Sequence, residues 1–415
     1  MIATTPSQPF SESTDRLASK FANKVDSATS AADRHYFLDW VRIVAFGLLI
    51  LYHVGMYYVS WGWHIKSEAA SSLIEPLMFL TNPWRMSLLF MVSGVATHFM
   101  LRRQAAGRFA SSRSGRILLP LLFGMAVIVP PQAYLEVVQK LQYQGSYFDF
   151  LNLYFHAYKG FVIEGKRLVL PTWNHLWFLA YLWTYSMLLA IVMRFFPRAM
   201  QTLEQMMSKF LSGKNLLLLP IAYLAVTRIT LLSGHPPTNN LTNDWYNHAN
   251  YFFYFLIGYF VANNLRFWEE LAEKRWRSLV IAVCGWFFLV AYFGLADKYG
   301  EYHVGILYLQ RVVWVTMAWN AILALCGFAK QHWNRDHALR GYLTTAVFPF
   351  YILHQTVIIL LAWQFRTLHL SPGFEALLVI VSCMASCFLN YTVISRISML
   401  RPLMGIAKKS SLAQA

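Results

Sequence analysis

Residues 39–53 (DWVRIVAFGLLILYH) hold an aspartate, an arginine and a histidine within one apolar run. Ionisable groups are costly in hydrocarbon and, where they occur, face a bundle interior or a watery cavity, so their presence marks a site. Arg42 and His53 are eleven positions apart. At about 100° per residue they return to within roughly 20° of one helix face, with His53 about 16 Å farther along the axis. Asp39, one turn before Arg42, lies near the same stripe and can hold the guanidinium. A neutral imidazole at such a place can take a proton from a hydroxyl, its ordinary pKa near neutrality suiting a general base. Arg113 and Arg116 stand a turn apart before the third apolar run. Two guanidiniums so spaced could grip phosphate oxygens bidentately, or could be the flanking charge that sets membrane topology.

The elements that must position these groups are membrane helices. Hydrophobic residues make up 57% of the 415, and mean hydropathy is +0.41. Windows of roughly 20 apolar residues predict an all-α, polytopic bundle of about ten spans: 36–59, 84–101, 117–138, 173–193, 215–233, 248–263, 278–296, 309–329, 343–364 and 375–398. The sixth is short and Asn-flanked, and could be tilted, broken or partly re-entrant. Of the 35 Lys and Arg, 24 fall on the two tails and one set of alternate connections, against 7 on the other set. By the positive-inside rule both termini are cytoplasmic. The same bias accounts for the formal charge of +16 through retention signals and lipid headgroups. The bilayer, not nucleic acid, is the implied partner.

Residues 1–35 are polar, lack the apolar core of a signal peptide, and read as a disordered cytoplasmic tail, so that the first span acts as an uncleaved anchor. Residues 36–400 form one membrane domain and 401–415 a second cytoplasmic tail. The connection 139–172 is long enough for a short lid or an amphipathic segment over the bundle. All four cysteines fall inside spans without metal-ligand spacing and read as packing residues; no metal is implied.

Five features in order resemble the acyltransferase 3 superfamily across residues 34–400: Arg42-x10-His53, Ser93-Gly94, Arg113-x-x-Arg116, His175-Leu-Trp-Phe-Leu179 and Phe350-Tyr-Ile-Leu-His354. The family's serine–glycine element commonly continues with an aromatic, where this chain has Val95. The resemblance implies an inner-membrane O-acyltransferase moving an acyl group from cytoplasmic acyl-CoA, a donor substrate rather than a tightly bound cofactor, to an extracytoplasmic glycan. Arg34-x-Tyr-Phe-Leu-Asp39, Trp63-His64-Ile-Lys-Ser67, Arg85-Met86 and the Arg228…Pro236-Pro237 segment are similar to a glucan-modifying branch. That branch implies succinyl and a periplasmic glucan.

The geometry agrees with this frame. If the hydrocarbon begins near Val41, His53 lies about 18 Å in, past the middle of a roughly 30 Å core. A long thioester arm bridges that depth, with its nucleotide phosphates on Arg113, Arg116 and Arg42 and its carbonyl beside His53. His175 and Trp177 open the fourth span from the outer side at a similar depth, where an aromatic beside a polar group suits a sugar ring. Trp173 and Trp177 equally suit the interfacial aromatic belt. His354, mid-span in the ninth helix, could orient His53 or bond a neighbouring helix. Arg85, Arg228 and Arg311 lie toward the outer ends of their spans, as does Glu136. Three arginines there could receive an anionic acceptor or the far carboxylate of a dicarboxylic acyl group, or could snorkel to headgroups. Asp244, His248, Asp297, Glu301 and His303 lie in or beside outer connections and are expected to be solvated. A transporter would also carry ionisable residues in its spans. Against it, no inverted repeat or matched pair of broken helices is evident, and no signalling domain follows the bundle as a sensor would require.

Overall fold

A computed structural model describes residues 35–299 and 304–407. The tail before His35, Glu301, His303, the side chain of Asp297 and residues 408–415 lie outside the described residues. Hydrocarbon offers no partner to a backbone N–H or C=O, so apolar runs that cross it satisfy those groups within themselves, as helices. The helices are α1 (Tyr36–Tyr58), α2 (Glu75–Thr81), α3 (Arg85–Arg103), α4 (Ala106–Phe123), α5 (Pro130–Leu141), α6 (Tyr147–Phe155) and α7 (Trp177–Phe195). They continue with α8 (Pro197–Phe210), α9 (Asn215–Leu231), α10 (Trp245–Val261), α11 (Leu265–Tyr299), α12 (Val304–His332), α13 (Ala338–Phe365) and α14 (Pro372–Arg396). One antiparallel hairpin, β1 (Val162–Ile163) with β2 (Lys166–Arg167), sets Val162 opposite Arg167.

Among the described residues, 7 helices are long and apolar enough to cross a membrane, and two bent pairs bring the number to 9. The pair α4/α5 bends by 40° and α8/α9 by 112°. The expected straight spans at 117–138 and 215–233 are therefore parts of bent pairs. At the first bend, Pro130 and Pro131 withhold backbone donors, and the turn Gly124–Ile128 is a π-helix; both are ordinary causes of a kink. The sixth expected span is α10, at 17 residues. Such a helix is about 25 Å long, at the short limit of spanning lengths. Helix α11 begins at Leu265, so the basic stretch 266–277 is helical rather than a connection.

Helix α10 is drawn into the bundle by a close crossing with α3. A side chain at Gly94 would run into the carbonyl of Phe255, and one at Gly258 into the carbonyl of Met91. Reciprocal glycines let two backbones approach, and in a bilayer van der Waals packing of this kind replaces the hydrophobic drive between helices. The Ser93-Gly94 element thus makes its helix contact although Val95 follows it.

Helix α1 packs against α3, α12, α13 and α14. The apolar windows of α3 and α13 are mostly enclosed, whereas α11 and α14 turn most of theirs outward. The ionisable residues at 39, 42, 53, 85 and 354 therefore sit on the inner helices. Cys326, Cys383 and Cys387 are buried, while Cys284 on the outward-facing α11 is exposed.

The segment 142–172 forms the short cover foreseen for it. Ser146 and Asp149 cap α6 reciprocally. Phe150, Tyr154, Phe161 and Leu170 bury a small separate core against Ala133 and Val137 of α5. The Tyr154 hydroxyl reaches the carbonyl of Met125 at 2.8 Å, tying this cover to the π-turn.

Candidate active site

The centre of the site is a pair of imidazoles contributed by α1 and α13. His354 Nδ1 lies 2.7 Å from the carbonyl of Tyr351. A carbonyl can only accept, so Nδ1 carries the proton and His354 Nε2 presents a lone pair. His53 Nδ1 lies 2.9 Å from that Nε2 and must donate to it. The chain of two bonds leaves the lone pair of His53 on Nε2, which has no hydrogen-bond partner among the described residues. Trp63 stacks along the His53 ring at 6.4 Å between centroids and 17° between planes.

Three cavities meet at this pair. The first, of about 340 Å³, is lined by His53 together with Arg85, Arg228, Tyr246, Asn247 and Trp177 among others. The second opens outward and is lined by His53, His64, Thr172, Trp173, Asn174 and Gln355, with His175, Trp177 and Asn239 shared with the first. The third is a narrow apolar groove between α1, α13 and α14, lined from Ile43 through Phe46 and Ile50 to His354. It runs from the residue after Arg42 to the inner imidazole.

His175 is placed beside the pair but is fully engaged. Its Nε2 donates to the carbonyl of Ile352 at 3.0 Å, and its Nδ1 accepts from Gln132 at 3.3 Å. Its own carbonyl receives the Tyr351 hydroxyl at 2.5 Å. Gln132 also bonds Thr356 at 2.6 Å, Gln355 at 2.9 Å and Asn174 at 3.1 Å. This buried polar network joins α5 to α13 across the α4/α5 bend, where Thr356 reaches the carbonyl of Ile128 at 2.7 Å. Satisfied networks of this kind lock a single arrangement. Trp177 stands over Tyr251 and Phe90 and lines the first two cavities.

Of the three arginines expected toward the outer ends of their spans, two share the first cavity. The Arg85 guanidinium lies 3.2 Å over the ring of Tyr52, next to His53 in the chain, and donates to Asn82 at 2.9 Å. Arg228 donates to the Tyr246 hydroxyl at 2.6 Å and lies 4.3 Å from the Trp314 ring. Arg311 is elsewhere: it donates to the carbonyl of Ile229 at 2.9 Å and to Ser233 at 2.5 Å. There it satisfies the last turn of α9, whose carbonyls lack helical partners.

At the opposite end of α1, Arg42 meets Asp39 at 3.4 Å. Asp39 is bound more closely by Arg340 of α13, which also holds Asp336 at 2.6 Å. Arg113 donates to Ser186 of α7 at 3.4 Å and is within electrostatic reach of both Arg42 and Arg116, which is exposed. Three of the basic groups foreseen for phosphates thus gather at one end of the bundle.

Several groups were not legible as partners. His64 Nδ1 lies 2.5 Å from Glu136, whose other oxygen binds Lys140 at 2.8 Å. This carboxylate-held imidazole faces the outer cleft beside His53. The only signal in the sequence was the Glu136/Lys140 pair at helical spacing and the position of His64 beside Trp63. Asp244 corrects an expectation: it is buried, not solvated, and accepts from Tyr181 at 2.5 Å, Asn247 at 2.8 Å and the backbone of Asn239 and Thr238. Its neutral donors satisfy the charge and fasten the loop that roofs the first cavity. His248 is likewise engaged, with Leu241 at 2.6 Å and Tyr185 at 3.0 Å.

An unprotonated imidazole nitrogen on a residue that lines a cavity is an arrangement that general acid–base catalysis can use. The acyltransferase domain model of the acyltransferase 3 type matches residues 35–392. The chain is 24% identical over 330 residues to glucans biosynthesis protein C of Escherichia coli (strain K12), covering 78% of this chain and 82% of that protein. The same figures hold for the proteins of that name from Escherichia coli O139:H28 (strain E24377A / ETEC) and O9:H4 (strain HS). No solved structure matches the chain. The family match spans the whole helical bundle and sets aside the transporter and sensor readings. With helices long and apolar enough to cross a bilayer several times, the chain belongs to the acyltransferase 3 family and is a multi-pass membrane acyltransferase.

Proposed function

We propose that this acyltransferase takes an acetyl or succinyl group from cytoplasmic acyl-CoA and esterifies a hydroxyl of an extracytoplasmic glycan, a glucan in keeping with the name of its relatives. One observation supports the reading: the Tyr351–His354–His53 relay leaves a free lone pair on Nε2 of His53, which lines the outward cleft, while the apolar groove ends at its partner His354. The donor arm follows the groove from the Arg42 end. Its phosphates stay with Arg113, Arg116 and Arg42, and its thioester carbonyl arrives beside the imidazoles. The acceptor enters from the outer cleft, where Trp173, Trp177, Asn174 and Gln355 offer the mixture of aromatic faces and amides that suits a sugar.

His53 Nε2 removes the hydroxyl proton as the sugar oxygen attacks the thioester carbonyl. The C–S bond then breaks, and the proton on Nε2 passes to the departing sulfur. Acyl-CoA and alcohol become ester and free CoA, with no redox step. His354 keeps His53 in the productive tautomer throughout. Reconstitution of the purified protein in vesicles, with acyl-CoA and glucan on opposite sides, tests this by mass spectrometry of the glucan. Wild type adds the acyl mass and His53→Ala adds none at normal membrane abundance. An active His53→Ala variant removes His53 from the mechanism.

A further inference from the structure

The cavities that meet at His53 differ in charge. The outer cleft has no arginine or lysine in its lining. The first cavity has two, Arg85 and Arg228, each with only 8% of its surface exposed. Neither has a carboxylate within ion-pair distance among the described residues, and the Nε of each is buried without a partner. Arg340, just as buried, is paired with Asp39 and Asp336, and Arg311, which also lacks a carboxylate, spends its guanidinium on the Ile229 carbonyl and Ser233 away from this cavity. A desolvated cation is costly until an anion meets it, and two such cations line this one cavity.

Resting on the acyl-transfer reading, we propose that Arg85 and Arg228 are the receptor for a carboxylate at the far end of the transferred acyl group, so that the preferred donor is the CoA thioester of a short dicarboxylic acid. Arg85 lies on the ring of Tyr52, the residue before His53, and acts electrostatically on His53 itself. A carboxylate held there stands a few bonds from a carbonyl placed at His53 Nε2. A negatively charged acceptor fits less well, because the acceptor's route is the cleft without arginines. Guanidiniums recognise carboxylates bidentately and remain charged when buried. Asn82 and Tyr246, already bonded to the two arginines, hold the forks in place. An acetyl group would leave both charges unmet. The proton transfers stay those of His53, and the arginines act on binding and orientation.

The test compares succinyl-CoA and acetyl-CoA as donors to glucan with purified wild type, Arg85→Gln, Arg228→Gln and the charge-keeping Arg85→Lys and Arg228→Lys. Wild type is expected to favour succinyl-CoA by about 100-fold or more in kcat/KM, since an unmet buried polar site rejects the analogue that lacks its partner. The glutamine variants should lower the succinyl-to-acetyl ratio at least ~10-fold, and the lysine variants should recover part of it. Thermal unfolding gives a readout independent of turnover and of any glutamine variant that folds poorly. Free succinate should stabilise wild type, and the lysine variants less, at concentrations where acetate and chloride do not. Equal use of both donors by wild type, an unchanged ratio in all four variants, or equal stabilisation by chloride overturns the receptor while leaving acyl transfer standing. Wild type that transfers neither donor yet is protected by succinate through the two arginines overturns the acyl-transfer reading and keeps the receptor.

Discussion

The imidazoles of His53 and His354, 301 residues apart in the chain, are joined Nδ1 to Nε2 at 2.9 Å, and the carbonyl of Tyr351 sets the direction of that bond. Removing His354 therefore releases the tautomer of His53 without touching His53. His354→Leu is expected to lower kcat by about 100-fold or more, in the range of a lost general base. His354→Gln, whose amide oxygen can accept the same bond, should retain more. Steady-state rates at matched membrane abundance check this, and a His354→Leu enzyme with the kcat of wild type would refute the relay.

The donor end is tested by Arg113 and Arg116. Phosphates bound there are remote from the reacting carbonyl, so Arg116→Ala should raise the KM for acyl-CoA much more than that for the acceptor, with kcat changed less. Lysine should rescue partly, because an ammonium is a point charge where a guanidinium is a fork. An unchanged donor KM in both Arg113→Ala and Arg116→Ala would return these residues to topology signals.

Orientation follows from the 24-to-7 asymmetry of basic residues. Single cysteines near Gly107 and Gln331 should label from the cytoplasmic side, and those near Ser67 and Asn240 from outside, in a background lacking the exposed Cys284. Labelling of Gly107 and Asn240 from one side would break the proposed threading.

Lys66 fastens the loop that brings Trp63 and His64 to His53. Its ammonium donates to the carbonyls of Met56 at 2.7 Å, Trp61 at 3.0 Å and, more closely, Val59, while Gln139 bonds its backbone N–H and C=O at 2.8 and 2.9 Å. Burial pulls this lysine down from 10.5 to about 8, with Glu75 opposing and Lys140 assisting. Because the folded state sheds this proton first, unfolded chains bind more protons between those values, and stability rises with pH across the interval. The contribution is lost as pH falls through about 8. Thermal unfolding in detergent should show a positive pH slope from about pH 7.5 to about pH 10 that Lys66→Met removes. An identical slope in the variant would contradict the assignment.

The α3/α10 crossing makes the strongest folding prediction. Gly94→Leu or Gly258→Leu forces side-chain atoms into facing carbonyls, and the helices must separate. Both variants should be depleted from the membrane, whereas Gly47→Ala, at a glycine with open space around it, should accumulate normally. Normal abundance of Gly258→Leu would show that the crossing tolerates a wider gap.

What the sequence by itself determined was set by local rules. Lengths of apolar sequence must be satisfied within helices, and the helical repeat places Arg42 and His53 on one stripe wherever that helix goes. The shortness of α10 was legible as an irregular segment, whereas the bend at Pro130–Pro131 fell inside what read as one continuous span. Which helix faces which is a different matter, because a repeat gives a residue's azimuth and depth but not the neighbour opposite. Only the tertiary structure decided that His354 meets His53, that Arg85 and Arg228 share a cavity while Arg311 caps α9, and that Asp244 is buried under Tyr181. Those choices rest on close approach at Gly94 and Gly258 and on hydrogen bonds such as Gln132 to Thr356, between segments far apart in the chain. In a bilayer, where burial of apolar surface does not discriminate between helices, packing and polar pairing select the partners.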